Sequence, residues 1–278
     1  MDSSDIDLIR HLFDRYQQLK REKRLYSSDD YIPQNLIMFY YGCEDKFDFN
    51  HLVYNFKRKY IYNENEVEGV HCKSERDGLS AVYDYIKDTD NDNCPNIYMI
   101  LKLHSLLYSK VPYPEFGGKF RNSVAFISDS DIQSTSPENI SLEISKLYGE
   151  YSQILEMSEV VKKNNNSLLL MHYIDRCIDL KCRLIEIHPF PDGNGRTCRA
   201  LVNLLFRKVN LPPVYIKNKE KEEYIEAMDH AIRFKDTKTI HKFYYYKICD
   251  SIIELDISER DKQRTVTDEQ PKVLVKKK

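Results

Sequence analysis

The chain has 278 residues, of which 41% are hydrophobic and 31% charged, and its formal net charge is -2 at pH 7. This length is enough for one large domain or for a core with a smaller appendage. The near-balanced charge argues against a nucleic-acid binder, and no apolar run is long enough for a transmembrane helix. The seven cysteines are scattered without a C-x-x-C pair, which is typical of reduced thiols. We therefore expect a cytoplasmic protein without nucleic-acid or membrane partners, leaving export into a host cell open.

Helical periodicity dominates the first part of the chain. Residues 3–24 begin with a Ser/Asp cap and place apolar residues on one stripe, which predicts an amphipathic helix. Residues 78–88 and 96–110 predict two more helices, the second apolar enough to be buried. A Gly-Gly break then precedes a β-rich run, so we expect a short hairpin near residues 118–128.

Helical patterns return after the hairpin. Residues 164–187 are apolar on most faces, as in a central core helix. This helix must end at His188, because Pro189 disfavours the helical conformation of the residue before it. The other predicted helices cover residues 136–157, 196–211, 219–234 and 239–255. We predict an all-α domain with one small β-hairpin, followed by a polar, disordered tail over residues 258–278.

The loop over residues 188–199 is unusually polar for a connection between two apolar helices. Gly193 and Gly195 let successive backbone N–H groups point into one concavity, which is an anion-binding nest. The next helix begins here and adds the positive end of its dipole. Arg196 and Arg199 lie i, i+3 on its first turn, where two cations work against the dipole unless an anion compensates. The pattern therefore predicts a polyphosphate site.

Asp192 and His188 add reactive groups to this site. A carboxylate beside a phosphate is repelled unless a divalent cation lies between them, and Mg²⁺ favours one carboxylate plus phosphate oxygens. A histidine is suited to taking a hydroxyl proton near neutral pH. The groups together suit phosphoryl or nucleotidyl transfer. The simpler interpretation, a helix-ending histidine and an ordinary turn, leaves the two arginines in register unexplained.

The stretch "HPFPDGNGRTCR" (188–199) resembles the H-x-F-x-[DE]-G-N-G-R-x-x-R signature of Fic-domain proteins at every fixed position. Similarity of the same kind extends over "GGKFR" (117–121) and "YIEAMDHA" (224–231), and it covers roughly residues 60 to 250. The resemblance implies an all-helical Fic fold. It also implies transfer of AMP from Mg²⁺-bound ATP to a Ser, Thr or Tyr hydroxyl of a target protein, and to the enzyme itself.

The resemblance gives the motif residues their roles. His188 would deprotonate the target hydroxyl, which attacks the α-phosphorus and expels pyrophosphate. Asp192 would bind Mg²⁺, and Phe190 would anchor the loop in the core. The nucleotide would be bound by Gly193, Asn194, Gly195, Arg196, Arg199 and Tyr224. Relatives that transfer phosphate or phosphocholine differ from the G-N-G pattern, so the sequence favours an AMP transferase.

The hairpin resembles the family's flap, an edge strand that holds the target segment by main-chain hydrogen bonds. The alternative is an ordinary packing hairpin. The flap residues would be Val124, Ala125, Phe126 and Ile127.

The stretch "ENEVEGV" (64–70) resembles the inhibitory motif [ST]-x-x-x-E-[GN] that precedes many Fic cores. By that resemblance, Glu68 pairs with Arg199 and blocks the γ-phosphate position. Glu64 replaces the usual Ser or Thr, and an acid there would repel Glu68 at i, i+4 and loosen the inhibition. A solvated acidic helix end is the alternative. The resemblance thus divides the chain into an N-terminal helical region (1–60), an inhibitory helix segment (61–72), a catalytic core (73–257) and the tail (258–278).

Several alternatives stay open. Ile232 departs from the family's usual base-side residues, so UMP transfer is a candidate, and Tyr224 is equally a core residue. The same site serves de-AMPylation in some relatives. A nucleotide-binding interaction module without turnover is a third class. Inhibition of this kind is often coupled to dimerisation, so a homodimer is a candidate assembly beside the target protein and ATP.

Overall fold

The computed structural model describes residues 3–21, 31–42, 54–88, 96–127, 132–164 and 166–268. Its regular structure is almost entirely helical, which confirms the predicted all-α class. In chain order the helices are α1 (Ser3–Arg21), α2 (Ile32–Gly42), α3 (Tyr54–Val67), α4 (Lys73–Asp88), α5 (Met99–Leu107), α6 (Ile140–Lys146), α7 (Tyr148–Asn164), α8 (Ser167–Ile187), α9 (Asn194–Lys208), α10 (Lys221–Phe234) and α11 (Lys238–Asp268). Single 3₁₀ turns occur at Pro114–Phe116, Pro137–Asn139 and Asn218–Glu220.

Helix α8 lies at the centre of the fold, as its apolar character predicts. It packs against α2, α6, α7, α9, α10 and α11. The Asn166 side chain caps its first turn by accepting a hydrogen bond from the Leu169 N–H at 2.9 Å. At the other end His188 adopts a left-handed conformation with φ 52°, so the helix ends where Pro189 requires. The end of α8 therefore determines where His188 lies.

Several predicted helix bounds differ from the structure, and two of the differences are large. The predicted helix over 136–157 is divided into a 3₁₀ turn, α6 and α7, and at Leu147, between the two α-helices, the N–H donates to the carbonyl three residues back, that of Ile144. Helix α11 continues to Asp268 and so occupies the first part of the segment predicted to be a disordered tail. Residues such as Glu259, Arg260 and Lys262 are good helix formers, which a reading based on polarity alone overlooks. Residues 269–278 lie outside the described part of the chain.

The hairpin predicted near residues 118–128 lies further along the chain, where a single antiparallel bridge joins Phe126 and Gln133. The Ile127 N–H donates to the Ile132 carbonyl at 3.1 Å, and the Ser134 N–H donates to the Ala125 carbonyl at 3.2 Å. The connecting residues 128–131 are not described. Across the described ranges, no helix has the length and apolar character needed to cross a membrane.

Gly78 allows α4 to approach α5, and its substitution is expected to destabilise the fold. A Cβ at this position would overlap the carbonyl oxygen of Leu107 at the end of α5. We expect Gly78→Ala to lower the free energy of unfolding by ~1–3 kcal/mol or more, because the helices must separate to accept the methyl group. Gly149→Ala is the matched control, since no atom lies within 4 Å of its Cβ position. Urea unfolding of both variants checks this, and equal stability would contradict it.

Candidate active site

The backbone of the loop after α8 is held by Arg121, which is only 4% exposed. Its Nε donates to the His188 carbonyl at 2.7 Å, and its own backbone N–H donates to the Pro189 carbonyl at 2.9 Å. Its Nη1 donates to the Ser123 carbonyl at 2.6 Å, at the start of the hairpin. One guanidinium therefore joins the hairpin to the loop that carries His188. Arg121 is part of the "GGKFR" stretch, but the sequence did not reveal this role.

The amide side chain of Asn194 closes the same loop. Its Oδ1 accepts from the Phe190 N–H at 2.9 Å, and its Nδ2 donates to the Phe190 carbonyl at 2.7 Å. Gly193 precedes α9 with φ 73°, a conformation that favours glycine, and a Cβ there would lie 2.9 Å from the Tyr108 ring. The side chain of Asn194 thus shapes the loop, and the backbone of residues 193–195 forms the start of α9.

Helix α5 supports the loop from below through His104 and Tyr108, neither of which the sequence singled out. The His104 ring stacks on Phe190 with centroids 3.9 Å apart and an interplanar angle of 6°. The Gly118 N–H donates to His104 Nδ1 at 2.8 Å, so the ring's proton is on Nε2, which lies 3.0 Å from the Asp192 carbonyl. The Tyr108 hydroxyl donates to Asp192 Oδ2 at 2.9 Å. These bonds fix both the backbone and the carboxylate of Asp192.

The burial of His104 predicts a pH-dependent stability. Burial lowers the pKa of His104 to about 4 from its ordinary value of 6.5. The unfolded chain therefore takes up this proton first as the pH falls, and stability is lost from pH 6.5 downwards until the pH passes the folded value. We expect the free energy of unfolding to fall by about 2 kcal/mol more between pH 7 and pH 5 in the wild type than in His104→Gln. Urea unfolding at the two pH values measures this, and parallel pH dependences would contradict it.

Arg196 forms its closest ion pair with a carboxylate of α4, and its Nη2 lies 3.9 Å from Asp192 Oδ2. Its side chain is 1% exposed, and Nη1 donates to Glu75 Oε2 at 2.6 Å. Further contacts are to Asn65 Oδ1 at 3.4 Å and to the Tyr108 hydroxyl at 3.3 Å. Arg196 therefore joins α9 to α4 and to the end of α3. The expectation that both arginines of the first turn bind one anion stays a prediction; in the structure Arg196 contacts Glu75 and Arg199 contacts Glu68. No local sequence signal identified Glu75 as the partner of Arg196.

Arg199 lies between two carboxylates. Its Nε donates to Glu64 Oε2 at 2.6 Å, and its Nη2 donates to Glu68 Oε1 at 2.7 Å. Burial acts to lower the pKa of Arg199, but Glu64 and Glu68 raise it well above its usual value. The expectation that Glu64 repels Glu68 considered the two carboxylates alone, whereas in the structure the Arg199 guanidinium pairs with both of them.

A cavity of about 200 Å³ opens beside Arg199. Its polar lining consists of Glu68, His188, Gly195, Arg199, Lys221 and Asp229. Its apolar lining consists of Val67, Ile127, Ile132, Ile185, Tyr224, Ile225, Met228 and Ile232. The cavity thus brings together a histidine, the start of α9 and one arginine at its polar part, and a face of α10 along its apolar wall. Asp192 and Arg196 are not among its lining residues.

Tyr224 is both buried and part of the cavity wall. The two interpretations from the sequence, a core residue and a residue of the nucleotide pocket, are therefore compatible. The Lys181 ammonium lies 4.6 Å from the centroid of its ring, and the Arg199 guanidinium carbon lies 5.8 Å from it. Lys181 is 1% exposed, and its Nζ also lies 2.9 Å from Met228 Sδ. Two cations therefore lie within about 6 Å of the ring, where cation–π attraction is favourable. Lys181 was not identified from the sequence.

His188 is held neutral near pH 7. Burial lowers its pKa, and the nearby Arg121 guanidinium lowers it further. A neutral imidazole that lines the cavity is able to accept a proton from a hydroxyl group placed there. The structure thus gives His188 the protonation state that a general base needs.

The Asp192 side chain is 66% exposed, whereas Gly193 and Asn194, which follow it, are buried. Its Oδ1 accepts from the Gly193 N–H at 2.6 Å. Over the part of the chain that the structure describes, no cluster of three or more His, Cys, Asp or Glu side chains could hold a metal ion alone. A single oriented carboxylate still suits Mg²⁺ when phosphate oxygens and water supply the other ligands.

The hairpin contributes Ile127 and Ile132 to the wall of the cavity. Main-chain groups of Ala125 and Ile127 point to the return strand, so those of Val124 and Phe126 point the opposite way. Val124 and Phe126 are 60% and 61% exposed, whereas Ile127 is buried and lines the cavity. The edge at Val124 and Phe126 has the backbone geometry that strand addition requires.

The sequence model of the Fic/DOC family matches residues 95–206, which include the loop, α5 and most of α9. The chain is 28% identical over 156 residues to the protein adenylyltransferase Fic of Culex quinquefasciatus. That alignment covers 55% of this chain and 28% of the mosquito protein. The chain therefore matches less than a third of the length of this curated relative.

Solved structures share the fold at low sequence identity. A Fic-domain-containing signaling protein from Bacteroides thetaiotaomicron superposes with a TM-score of 0.59 at 16% identity, covering 84% of this chain and 95% of that one. Fic-1 from C. elegans superposes with a TM-score of 0.57 at 18% identity, covering 90% and 88% of the two chains. At these identities the likeness establishes the helical fold.

Proposed function

We propose that this chain transfers AMP from ATP to a hydroxyl side chain of a target protein and of itself, since its residues 95–206 match the Fic/DOC family model. The observation that carries the proposal is one cavity lined by His188, Gly195 and Arg199. A base, a glycine at a helix start and a buried guanidinium are the groups that a nucleotidyl transfer needs side by side. The name of the mosquito relative, a protein adenylyltransferase, supports the same reaction.

The nucleotide would lie along the cavity with its phosphates at the start of α9. The backbone N–H groups of Gly193, Asn194 and Gly195 and the helix dipole would attract the phosphates, and Arg199 would bind the distal one. The base would pack against the apolar wall that includes Tyr224 and Ile232. Arg196 would act through its buried contacts, by holding α9 in place.

The reaction would use His188 as the base. Its neutral imidazole would accept the proton of the target hydroxyl as the hydroxyl oxygen forms a bond to the α-phosphorus. The bond between the α-phosphorus and the bridging oxygen breaks, and pyrophosphate leaves with that oxygen. Asp192 would hold Mg²⁺, which supplies charge neutralisation for the phosphates. The target segment would pair with the free edge over residues 124–127.

Glu68 would inhibit this reaction by occupying the place of the distal phosphate. A Cβ added to Gly195 would collide with Glu68 Oε1 and come within 2.9 Å of Arg199 Nη1, so the carboxylate lies directly over the start of α9. This carboxylate is the anion that satisfies Arg199 when no nucleotide is bound. ATP must therefore displace Glu68 before it can bind productively.

Incubation with α-labelled and γ-labelled ATP tests the proposed reaction. We expect the protein to be labelled from α-labelled ATP only, and parallel reactions with CTP, GTP and UTP identify the preferred base. Transfer of the γ-label would instead indicate a kinase. Nucleotide binding without any labelling, in a protein whose Glu68 has been replaced, would favour a binding module.

A further inference from the structure

Arg199 has two carboxylate partners whose surroundings differ. Glu64 lies within α3, is fully buried, and accepts from the Ile216 N–H at 3.3 Å as well as from Arg199. Glu68 is the first residue after α3, and its side chain is 31% exposed. Gly69 follows it with φ 68° and no atom within 4 Å of its Cβ position. One carboxylate is therefore enclosed and the other has room to move.

The backbone that Glu64 contacts is itself fixed. The Asn203 side chain brackets Val214, accepting from its N–H and donating to its carbonyl, both at 2.9 Å. These two hydrogen bonds hold the chain segment that ends at Ile216 against α9. Glu64 is thus confined by its own helix, by α9 and by this segment. A nucleotide that displaces Glu68 leaves the contact between Glu64 and Arg199 Nε in place.

We propose that Glu64 is a permanent counterion of Arg199, and that it makes the site discriminate only weakly between nucleoside triphosphates and nucleoside diphosphates. This inference rests on the proposed nucleotide mode, in which Arg199 binds the distal phosphate. The guanidinium keeps free N–H groups for that phosphate, but its charge is already neutralised at close range. The phosphates nearer the base are bound by the start of α9, which both nucleotide classes use equally.

Lys181 is a buried cation near the cavity that does not change this comparison. Its ammonium lies 4.6 Å from the centroid of the Tyr224 ring and is not part of the cavity lining, so its attraction acts on both classes of nucleotide. A serine or threonine at position 64, as the inhibitory motif prescribes, would leave Arg199 with its full charge for the third phosphate. Glu64 is therefore the residue that sets how much the third phosphate adds to binding.

Calorimetric titration with ATP and with ADP tests the proposal on the full chain carrying Glu68→Gln, which removes the competing charge. We expect the two dissociation constants to agree within about threefold while Glu64 is present. Adding Glu64→Gln, or Glu64→Thr where the glutamine variant fails to fold, is expected to tighten ATP about tenfold more than ADP. Glu66→Gln on the same helix is the charge-matched control, since Glu66 pairs with the exposed His71, at 3.2 Å.

Three outcomes would overturn the proposal. The first is a preference for ATP of more than about tenfold with Glu64 intact, which requires no variant at position 64. The second is an equal effect of the Glu64 substitutions on both nucleotides. The third is the failure of either nucleotide to bind the Glu68→Gln protein. All three outcomes concern nucleotide binding alone. A protein that shows the expected binding but does not transfer AMP would contradict the proposed function and leave this inference standing.

Discussion

The substitution His188→Ala is expected to abolish AMP transfer while nucleotide binding survives. The imidazole is neutral because burial and Arg121 lower its pKa, and it lines the cavity beside Gly195 and Arg199. Its removal takes away the proton acceptor but none of the groups that attract phosphate. A positioned general base contributes about 10²- to 10⁴-fold, so labelling from α-labelled ATP should fall by at least that factor.

Two controls separate the chemistry of His188 from its structural role. His188 has φ 52°, a conformation that asparagine tolerates better than alanine, so His188→Asn should lose labelling with less disturbance of the loop. His230→Ala removes a histidine on the exposed side of α10 and should label normally. Labelling by both His188 variants at the wild-type rate would assign the base to another residue.

The second large effect is expected from Glu68→Gly, which should raise self-labelling. The substitution removes the carboxylate that lies over Gly195 and pairs with Arg199 at 2.7 Å. A hydrogen bond to a charged group contributes about 1.5–3 kcal/mol, so the loss of this competitor should increase labelling at low ATP by about 10- to 100-fold. The increase should shrink as the ATP concentration rises, because ATP displaces the wild-type carboxylate by mass action.

Glu66→Gly is the matched control for this prediction. It removes an acid from the same helix end, where Glu66 contacts His71 and not Arg199. Unchanged labelling in Glu68→Gly, or an equal rise in Glu66→Gly, would show that Glu68 has no specific inhibitory role.

The sequence was most informative where the physical cause is local. Pro189 determines the end of α8, and the two glycines predict the sharp loop before α9. Both follow from backbone sterics within a few residues, and so they are readable from the sequence. The same holds for the all-helical class, which follows from apolar periodicity.

The sequence could not show partners that tertiary packing brings from a distance. Glu75 and Tyr108 meet Arg196 and Asp192 only after α4 and α5 have packed against α9. The i, i+4 rule likewise predicts repulsion between Glu64 and Glu68, because it considers one helix in isolation. The guanidinium that pairs with both carboxylates lies far along the chain. Charge patterns in the sequence therefore indicated where the candidate active site lies. The fold determines which charged side chains contact each other.

We propose that AMP transfer to protein hydroxyl groups takes place in this cavity and that Glu68 inhibits the transfer. The most direct measurement is the intact mass of the Glu68→Gly protein after incubation with ATP and Mg²⁺, compared with the wild type and with Glu68→Gly/His188→Ala. We expect a mass gain of one or more AMP units in Glu68→Gly, a smaller gain in the wild type and none in the double variant. A gain of phosphate, a gain that survives His188→Ala, or no gain in Glu68→Gly would contradict this proposal.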